Sequence, residues 1–457
     1  MKLTKEIINQ FNVPGPRYTS YPTAPEWKDV ISQDDYKNIL KTFGTKDKTL
    51  SVYVHIPFCQ SLCFYCGCNI KINTNRAVAE PYLKTLYAEI EMTAQALGSL
   101  KTKKKITQFH IGGGTPTFLT PAQLKEMFEF FQKYFEFDLQ NGEIAIEVDP
   151  RTTTDEHLVM LRSLGFNRIS MGLQDFDPKV QEAVHRIQSF ELVEKLIKRS
   201  RELGFISVNV DLIYGLPHQT IERFSKTIEQ VITLKPDRIA LYSYAHLPQL
   251  IAHHKLIHEK DLPGADEKLG IFLMATEKLT KDLYLAIAMD HFALKTDDMA
   301  KAFENGKLHR NFMGYTLKPA DEYLGFGVSA IGYIENTYIQ NIKNIENYTA
   351  AVAEGKFPIT RGKRLTQDDL IRQWVINALM CRFKLDQDEF KRLFGENFGI
   401  YFSAQAPEIA ALETQGLIKA DKHQILVTDL GKLFVRNVCM VFDAYLKTGH
   451  REFSKTI

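Results

Sequence analysis

Six short runs of β-branched, aliphatic and aromatic residues recur between residues 51 and 246, with helix-like segments between them. The runs are SVYVHI (51–56), ITQFHI (106–111), EIAIEV (143–148), RISMGL (168–173), SVNVDLIYG (207–215) and RIALYSYAH (238–246). Intervening segments such as PAQLKEMFEFFQKYF carry apolar residues at steps of three and four, the period of an amphipathic helix. This alternation predicts parallel βαβ units in an α/β fold, which six units would build into a partial (β/α)6 TIM-like barrel. LAIAMDHFA (285–293) is a candidate further strand.

Cys59, Cys63 and Cys66 stand at C-x3-C-x2-C spacing directly after the first predicted strand. A 4Fe–4S cluster held by three cysteines leaves one iron free for a small ligand. The spacing is typical of radical S-adenosylmethionine (SAM) enzymes, in which the free iron binds SAM. A zinc site or a disulfide is the alternative, but no second C-x2-C pair is present. Cys68 is a candidate fourth ligand, although the loop has little room to turn it inward so soon after Cys66.

Polar and glycine residues follow the ends of the predicted strands. They include Gly112–Thr115, Glu147, Asp149, Gln174, Asp211 and the pair Ala245-His246. In barrels of parallel strands the chemistry takes place at this edge. A single glycine run could be a plain turn and a single acid a helix cap. Because these residues share an edge with the cysteine loop, we expect them to form one site.

The composition is that of an ordinary globular protein. Hydrophobic residues make up 44% and charged residues 25% of the 457 residues, and the formal net charge is +2. This charge gives no reason to expect nucleic-acid binding. Four of the six cysteines lie in one cluster, which fits a reducing compartment. The N-terminus lacks the features of a signal peptide, and no apolar run is long enough to span a membrane. We therefore expect a cytoplasmic protein, and nothing in the sequence suggests an obligate oligomer.

Three regions are predicted. Residues 1–50 form an N-terminal extension with the stiff segment PGPRYTSYP (14–22), which is either a surface linker or a cover over the barrel mouth that contacts substrate. Residues 51–345 form the barrel and its C-terminal extension. Residues 346–457 read mainly as helices, with the short strand pair GLIKA and QILVTD, and resemble a winged-helix domain. Its faces are not distinctly basic, so we expect a lid or packing role rather than DNA binding.

The chain resembles the oxygen-independent coproporphyrinogen III oxidases of bacterial haem biosynthesis from about residue 15 to its end. The motifs that carry the resemblance are PRYTSYPTA (16–24), YVHIPFC…C..CGCN (53–69), GGGTPT (112–117), EVDPR (147–151), MGLQDF (171–176), NVDLIYGLP (209–217), YAHLP (244–248), MDHFA (289–293), LHRNFMGYT (308–316) and GVSAIG (327–332). The related haem chaperones share the three cysteines, but they typically have Phe at the position of Cys68 and lack the PRYTSYPT leader. Cys68 and the leader are both present in this chain and favour the oxidases. A chaperone that binds haem without decarboxylating anything is the alternative function. Met313 replaces the usual Gln of the HRNFQGYT segment.

The resemblance implies a set of site residues. Cys59, Cys63 and Cys66 correspond to the cluster ligands, and Cys68 to an active-site cysteine that does not bind iron. The positions that bind SAM correspond to Tyr53, Tyr65, Gly113, Gly114, Thr115, Glu147, Gln174, Arg186, Asp211, Ala245 and Ile331. The family holds two SAM molecules, so these residues are expected to divide between two sites. Arg310 and Arg17 are candidates for contact with the carboxylates of coproporphyrinogen III, since guanidinium matches a carboxylate.

The implied reaction converts two propionate side chains of coproporphyrinogen III to vinyl groups and yields protoporphyrinogen IX. It implies one 4Fe–4S cluster, SAM and a low-potential electron donor of flavodoxin or ferredoxin type. A radical SAM enzyme that acts on another substrate is a further alternative, because the outer segments that contact substrate are the less diagnostic part of the sequence.

Overall fold

The computed structural model describes residue 7, residues 10–317, residues 322–446 and residue 453. A 13-stranded sheet forms the centre of this part of the chain. Six of its strands are parallel and neighbour one another in chain order: β1 (Leu50–Ile56), β2 (Lys105–Gly113), β3 (Glu143–Val148), β4 (Arg168–Gln174), β5 (Ser207–Tyr214) and β6 (Arg238–Ser243). The predicted series of six parallel strands is confirmed. Their carboxyl ends meet at one edge, and the cysteine loop follows β1 at that edge.

Helices precede, connect and follow these six strands. They are α1 (Gln33–Gly44), α2 (Ala79–Leu97), α3 (Pro121–Tyr134), α4 (Asp155–Ser163), α5 (Pro178–Ala183), α6 (Phe190–Glu202), α7 (Ile221–Leu234), α8 (Ala265–Thr280), α9 (Asp298–Glu304) and α10 (Ile345–Ala353). Several begin at a side chain that accepts a hydrogen bond from the first turn, among them Thr120, Thr154, Asp177, Ser189 and Thr220. Such a cap stabilises a helix by about 1 kcal/mol, so the sequence itself defines where these helices begin.

The strands alternate between two environments. Apolar residues such as Val52, Phe109 and Ile146 are fully buried in the main hydrophobic core. The residues between them point into the barrel and are often polar: His110, Glu147 and Asp211 line a narrow interior cavity of about 120 Å³. Because side chains alternate along a strand, this pattern gives the barrel an apolar outside and a polar inside.

Both edges of the parallel series carry additional strands, of which the sequence predicted only one, at residues 285–293. Residues 285–293 do not form one strand. They form the hairpin β7 (Tyr284–Ile287) and β8 (His291–Leu294), of which β8 pairs antiparallel with β6. The chain turns at Ala288, whose φ of 49° lies in the left-handed region. At the other edge β9 (Glu322–Phe326) lies parallel to β1.

The sheet continues antiparallel from β9 through β10 (Ile331–Ile334), β11 (Thr337–Asn341) and β12 (Ile359–Arg364). The remaining short strands of this part are Phe58–Cys59, Lys71–Ile72, Glu136–Phe137, His309–Asn311 and Gly314–Thr316. Because β12 pairs with β11, the sheet extends beyond residue 345. This pairing favours a domain boundary near residue 365, and the boundary at 345 stays a prediction.

The C-terminal region contains α11 (Gln367–Arg382), α12 (Gln387–Phe394), α13 (Phe398–Tyr401), α14 (Ala406–Thr414), α15 (Asp429–Leu433) and α16 (Val435–Met440). Strands Ile418–Ala420 and Gln424–Val427 form the predicted pair, and Lys384–Asp386 adds a third strand that was not predicted. A helical bundle with a small antiparallel sheet agrees with the winged-helix-like expectation. No helix among the described residues is long and apolar enough to cross a bilayer.

The N-terminal extension, including the PRYTSYPT leader, packs against the C-terminal region. Phe11, Tyr18 and Tyr21 are buried in the core of that region. The hydroxyl of Tyr18 donates to Asp443 at 3.1 Å, and Nε of Arg436 donates to the carbonyl of Pro16 at 2.9 Å. Because of these contacts, the leader is part of the folded core. A surface linker would not be packed in this way.

Candidate active site

The three motif cysteines lie around one cavity of about 170 Å³ at the carboxyl ends of the barrel strands. The short strand Phe58–Cys59 pairs with Lys71–Ile72 and fixes the start of the loop. Sγ of Cys59 lies 3.3 Å from Oγ1 of Thr115, at the end of the glycine run after β2. Burial raises the pKa of the Cys59 thiol to about 12, so a thiolate at this position needs a strong compensating charge such as a metal.

Two arginines supply positive charge beside the second cysteine. Nη1 of Arg186 lies 3.6 Å from Sγ of Cys63, and Nη2 of Arg151 lies 3.7 Å from the same atom. Both guanidinium groups also contact Asp149, at 3.1 and 2.6 Å. Burial of Asp149 opposes its ionisation, but the charge of Arg186 and the contacts with Arg151 lower the pKa of its carboxyl. Asp149 therefore holds both arginines at the cysteine loop.

The three motif cysteines line one common volume, as the ligands of a cluster of several irons would. Among the described residues, no group of three or more His, Cys, Asp or Glu side chains is arranged to hold one metal ion. In a 4Fe–4S cluster each cysteine binds a different iron, so the thiols need to face one volume without converging on one point. Cys59, Cys63 and Cys66 meet this requirement because all three line the same cavity.

Most residues implied by the resemblance lie around this cavity. With the cysteines it is lined by Tyr65, Cys68, Gly113, Gly114, Thr115, Glu147, Gln174, Arg186 and Asp211. Gln174 has a φ of 61°, and its Oε1 is buried with no hydrogen-bond partner in the described part of the chain. A strained residue with an unused acceptor at a cavity is typical of a ligand contact.

Close packing around Gly112 and Gly113 requires glycine at both positions, which the sequence did not reveal. A Cβ at Gly112 would lie 2.7 Å from the carboxylate of Glu147, and one at Gly113 would lie 2.8 Å from the ring of His55. Gly113 also has a φ of 115°, which favours glycine. These glycines therefore allow neighbouring side chains to pack closely, and they line the cavity as well.

A second cavity of about 510 Å³ adjoins the first. Cys68, Gly113 and Glu147 line both. The second cavity is also lined by Tyr53 and Ile331 from the implied set. Ala245 follows β6 and is not among the residues that line either cavity. The two cavities meet beside the cysteine loop, so ligands in them would lie next to each other.

Two carboxylates near this junction have opposite electrostatic environments. Burial of Glu147 opposes ionisation, but Nε2 of His110 at 2.9 Å and other hydrogen bonds lower the pKa of its carboxyl. Burial and the nearby charge of Glu147 raise the pKa of Asp211 to about 6, although Asn209 and Ser170 donate hydrogen bonds to it. Asp211 is thus the more readily protonated of the two.

The candidate substrate arginines lie at the outer side of the second cavity, which both line. Nη1 of Arg310 donates to the carbonyl oxygens of Arg17 and Tyr18 at 2.5 and 2.8 Å. Nη2 of Arg17 donates to the carbonyl of Ser243 at 2.9 Å. Arg310 therefore ties the leader to the barrel, whereas the resemblance suggested only a contact with substrate.

The lining residues that the expected set lacks include Arg151, Asp290 and Tyr242. Arg151 lines the first cavity, and the other two line the second. Arg151 lies in the EVDPR motif and Asp290 in MDHFA, so both were within reach of a motif-based search. Tyr242 carries no local signal, because only its inward position on β6 brings it to the cavity.

Comparisons with known proteins agree with this architecture. The family model of the radical SAM superfamily matches residues 53–231, and that of the HemN C-terminal domain matches residues 365–434. The oxygen-independent coproporphyrinogen III oxidase of Pseudomonas aeruginosa is 41% identical over 99% of this chain and 98% of that protein. The enzyme of the same name from Escherichia coli K12 is 42% identical, again over 99% and 98%.

A solved structure is similar over almost the whole chain. It is that of coproporphyrinogen III oxidase (HemN) from Escherichia coli, described as a radical SAM enzyme. The TM-score is 0.90 at 41% identity, and the match covers 94% of this chain and 97% of the other. The fold described above is therefore similar, over almost its whole length, to a fold known from experiment.

Proposed function

This chain belongs to the oxygen-independent coproporphyrinogen III oxidases of the radical SAM superfamily, and from that premise we propose that it converts coproporphyrinogen III to protoporphyrinogen IX. Two propionate side chains would each lose carbon dioxide and become vinyl groups. The observation that carries the proposal is the junction of two cavities at Cys68, Gly113 and Glu147, one facing the cysteines and one facing Arg17 and Arg310.

Members of the radical SAM superfamily use a 4Fe–4S cluster and SAM. Here Cys59, Cys63 and Cys66 would hold three irons, while Cys68 would remain a thiol beside the ligands. When bound, the cluster and SAM supply an electron and a 5′-deoxyadenosyl group that can abstract a hydrogen atom. Thr115 lies beside the thiol of Cys59, and Arg151 and Arg186 lie beside that of Cys63. The positive charge of the cluster irons would stabilise the thiolate forms that bind them.

The chain's polar groups would orient SAM. Backbone at Gly113 and Gly114 is open to the first cavity, where Thr115, Gln174 and Arg186 offer polar atoms to an amino-acid carboxylate and amine. Tyr53, Glu147 and Ile331 line the second cavity, whose volume leaves room for a second SAM. Two SAM molecules would then meet at Cys68. Tyr65, Asp211 and Ala245 complete the proposed SAM-binding set.

Coproporphyrinogen III carries four carboxylates, which require cations at a site that is otherwise enclosed. Arg17 lines the second cavity and is the proposed carboxylate contact. Arg310 would act by holding the leader, and through it Arg17, in place. The leader and the C-terminal region would keep water away from the reacting carbon, since a primary radical reacts with any nearby hydrogen donor.

Each turnover at a propionate removes one hydrogen atom from the β-carbon, after which carbon dioxide and one electron leave and the vinyl double bond forms. We propose a flavodoxin- or ferredoxin-type protein as the source of the low-potential electron, and a one-electron acceptor for the electron that leaves. We propose that the chain acts as a monomer in the cytoplasm.

The test is anaerobic turnover. Protein with a reconstituted cluster receives SAM, a reductant and coproporphyrinogen III, and products are identified by mass spectrometry. Protoporphyrinogen IX together with 5′-deoxyadenosine is the expected result, and Cys59→Ala should abolish both. Stable haem binding without SAM cleavage would overturn the proposal in favour of a chaperone. Deoxyadenosine without decarboxylation would overturn the substrate assignment and keep the reaction class.

A further inference from the structure

Three histidines outside the proposed catalytic set hold the backbone of the cysteine loop. Nδ1 of His185 lies 2.8 Å from the carbonyl oxygen of Leu62. Nε2 of His254 lies 3.2 Å from that of Tyr65, and Nε2 of His253 lies 2.6 Å from that of Cys66. A carbonyl oxygen only accepts hydrogen bonds, so each of these ring nitrogens carries a proton and donates it.

The histidines come from two separate parts of the chain. His185 follows α5, and its φ of 55° lies in the left-handed region, where a histidine is strained. His253 and His254 lie on the short 3-10 helix Ala252–Leu256, beyond β6. The cysteine loop is thus held from two sides, next to the second and third cysteines. Two independent elements that converge on one irregular loop indicate a role for the loop's position.

The donor state of His254 follows from its second contact. Its Nδ1 accepts the backbone N–H of Leu247 at 3.1 Å, so the proton of the neutral ring must be on Nε2. The side chain is buried, so water does not compete for either ring nitrogen. The ring of His246 stacks on that of His254 with centroids 6.0 Å apart and fixes its plane.

We propose that His185, His253 and His254 are positioning residues that preorganise the cysteine loop for the iron–sulfur cluster by donating hydrogen bonds to the carbonyls of Leu62, Cys66 and Tyr65. This inference rests on the proposed function, because it takes Cys59, Cys63 and Cys66 as the cluster ligands. Groups that orient metal ligands through hydrogen bonds typically change metal affinity by about 10- to 100-fold. The N–H donors also place partial positive charge near the cluster, which favours its reduced state.

The test must distinguish the hydrogen bonds of the histidines from the packing of their rings. Gln presents its Nε2 the same number of bonds from Cβ as His does, so a Gln variant can keep the N–H donor. Leu fills similar space without one. The test therefore compares the double variant His253→Leu/His254→Leu with His253→Gln/His254→Gln. The control is His258→Leu, which removes an exposed histidine of the same segment.

The first readout is hydrogen exchange of the protein without its cluster. We expect the amides of residues 60–68 to exchange about tenfold faster in the Leu double variant, while the six parallel strands keep their protection and the Gln variant stays close to the parent. Equal exchange in the Leu variant and the parent would overturn the proposal. Gln behaving like Leu would also overturn it, because the rings would then act through packing. The single variant His253→Leu, at a partly exposed position, replaces the double variant if that one unfolds.

The second readout is the reconstituted cluster. The Leu double variant should lose iron to a chelator about tenfold faster and show a lower midpoint potential, with the Gln variant near the parent. Unchanged iron loss and potential would overturn the proposal. Because neither readout uses coproporphyrinogen, failure of the substrate assignment would leave both results interpretable. Retention of iron after Cys59, Cys63 and Cys66 are each changed to Ala would instead refute the ligand set.

Discussion

Arg186 and Asp149 form an ion pair at the cysteine loop, with Nη1 of Arg186 3.1 Å from Oδ2 of Asp149. The same Nη1 atom lies 3.6 Å from Sγ of Cys63, and the side chains of both partners are more than nine-tenths buried. One guanidinium group therefore satisfies a buried carboxylate and stands beside a proposed cluster ligand. This relationship links the stability of the loop to the chemistry proposed for it.

Replacing Arg186 by Met should destabilise the protein even without a cluster. Asp149 would keep Arg151 but lose its second partner, and breaking a buried pair in this way costs about 3 kcal/mol. The measurement is the free energy of unfolding in urea. Arg199→Met is the matched control, because its pair with Asp155 is exposed and its loss should have no measurable effect. Equal stability of the Arg186 variant and the parent would contradict the account of this pair.

Stability should fall between about pH 4.5 and 7 because of Glu89. This residue of α2 accepts hydrogen bonds from Gly327, Asn341 and Tyr348, but burial still raises its pKa from 4.5 to about 7. A raised carboxyl pKa means that the folded state binds more protons over this interval, so stability is fully present below pH 4.5 and is lost as pH rises through 7. The loss is about 3 kcal/mol for a shift of this size.

The check on Glu89 is a pH series of unfolding free energies for the parent and for Glu89→Gln. Gln cannot titrate, so the difference in stability between the two proteins should change across this interval and stay constant above it. Parallel curves for the two proteins would show that Glu89 does not titrate there.

Cys68→Ser should retain the cluster, whereas Cys66→Ser should lose it. Cys68 is exposed, and it lines both cavities. Iron and acid-labile sulfide per chain, measured after reconstitution, should be near the parent value in the first variant and strongly reduced in the second. Equal iron loss in both would make Cys68 a ligand, the possibility that its place in the sequence left open.

Arg310→Ala should weaken substrate binding through the leader. Loss of the two hydrogen bonds to the carbonyls of Arg17 and Tyr18 should raise the KM for coproporphyrinogen by about tenfold. Reductive SAM cleavage in the absence of substrate should stay unchanged. Limited proteolysis should cut the leader faster in this variant than in Arg223→Ala, whose partner Asp177 is the N-terminal cap of α5 in the barrel. A raised KM with a protease-resistant leader would favour direct contact between Arg310 and substrate instead.

The regular part of the fold was predictable because its signals are local. The runs that became β1 to β6 are separated by capped amphipathic helices, and parallel order follows from such alternation. The spacing of Cys59, Cys63 and Cys66 likewise predicted that their three thiols would face a common cavity. β9 lacked a comparable signal, because its position beside β1 depends on a contact across more than 250 residues.

The sequence-based predictions failed, or were incomplete, where contacts between distant parts of the chain determine the local structure. Residues 285–293 look like one apolar strand, but Ala288 adopts a left-handed conformation and splits them into a hairpin. The glycine run was predicted as part of a site or as a plain turn, and the close approach of Glu147 to Gly112 and of His55 to Gly113 could not be foreseen from the sequence. No sequence pattern marked His253 and His254 as neighbours of the cysteine loop. Only the folded chain brings their ring nitrogens to the carbonyls of the cysteine loop.

The most direct test of the central claim follows the hydrogen atom removed from the substrate. Coproporphyrinogen III deuterated at its propionate β-carbons would be turned over anaerobically with SAM and a reductant. The account predicts deuterium in the 5′-deoxyadenosine, with protoporphyrinogen IX and carbon dioxide formed alongside it. Decarboxylation accompanied by unlabelled 5′-deoxyadenosine, or no decarboxylation at all, would contradict it.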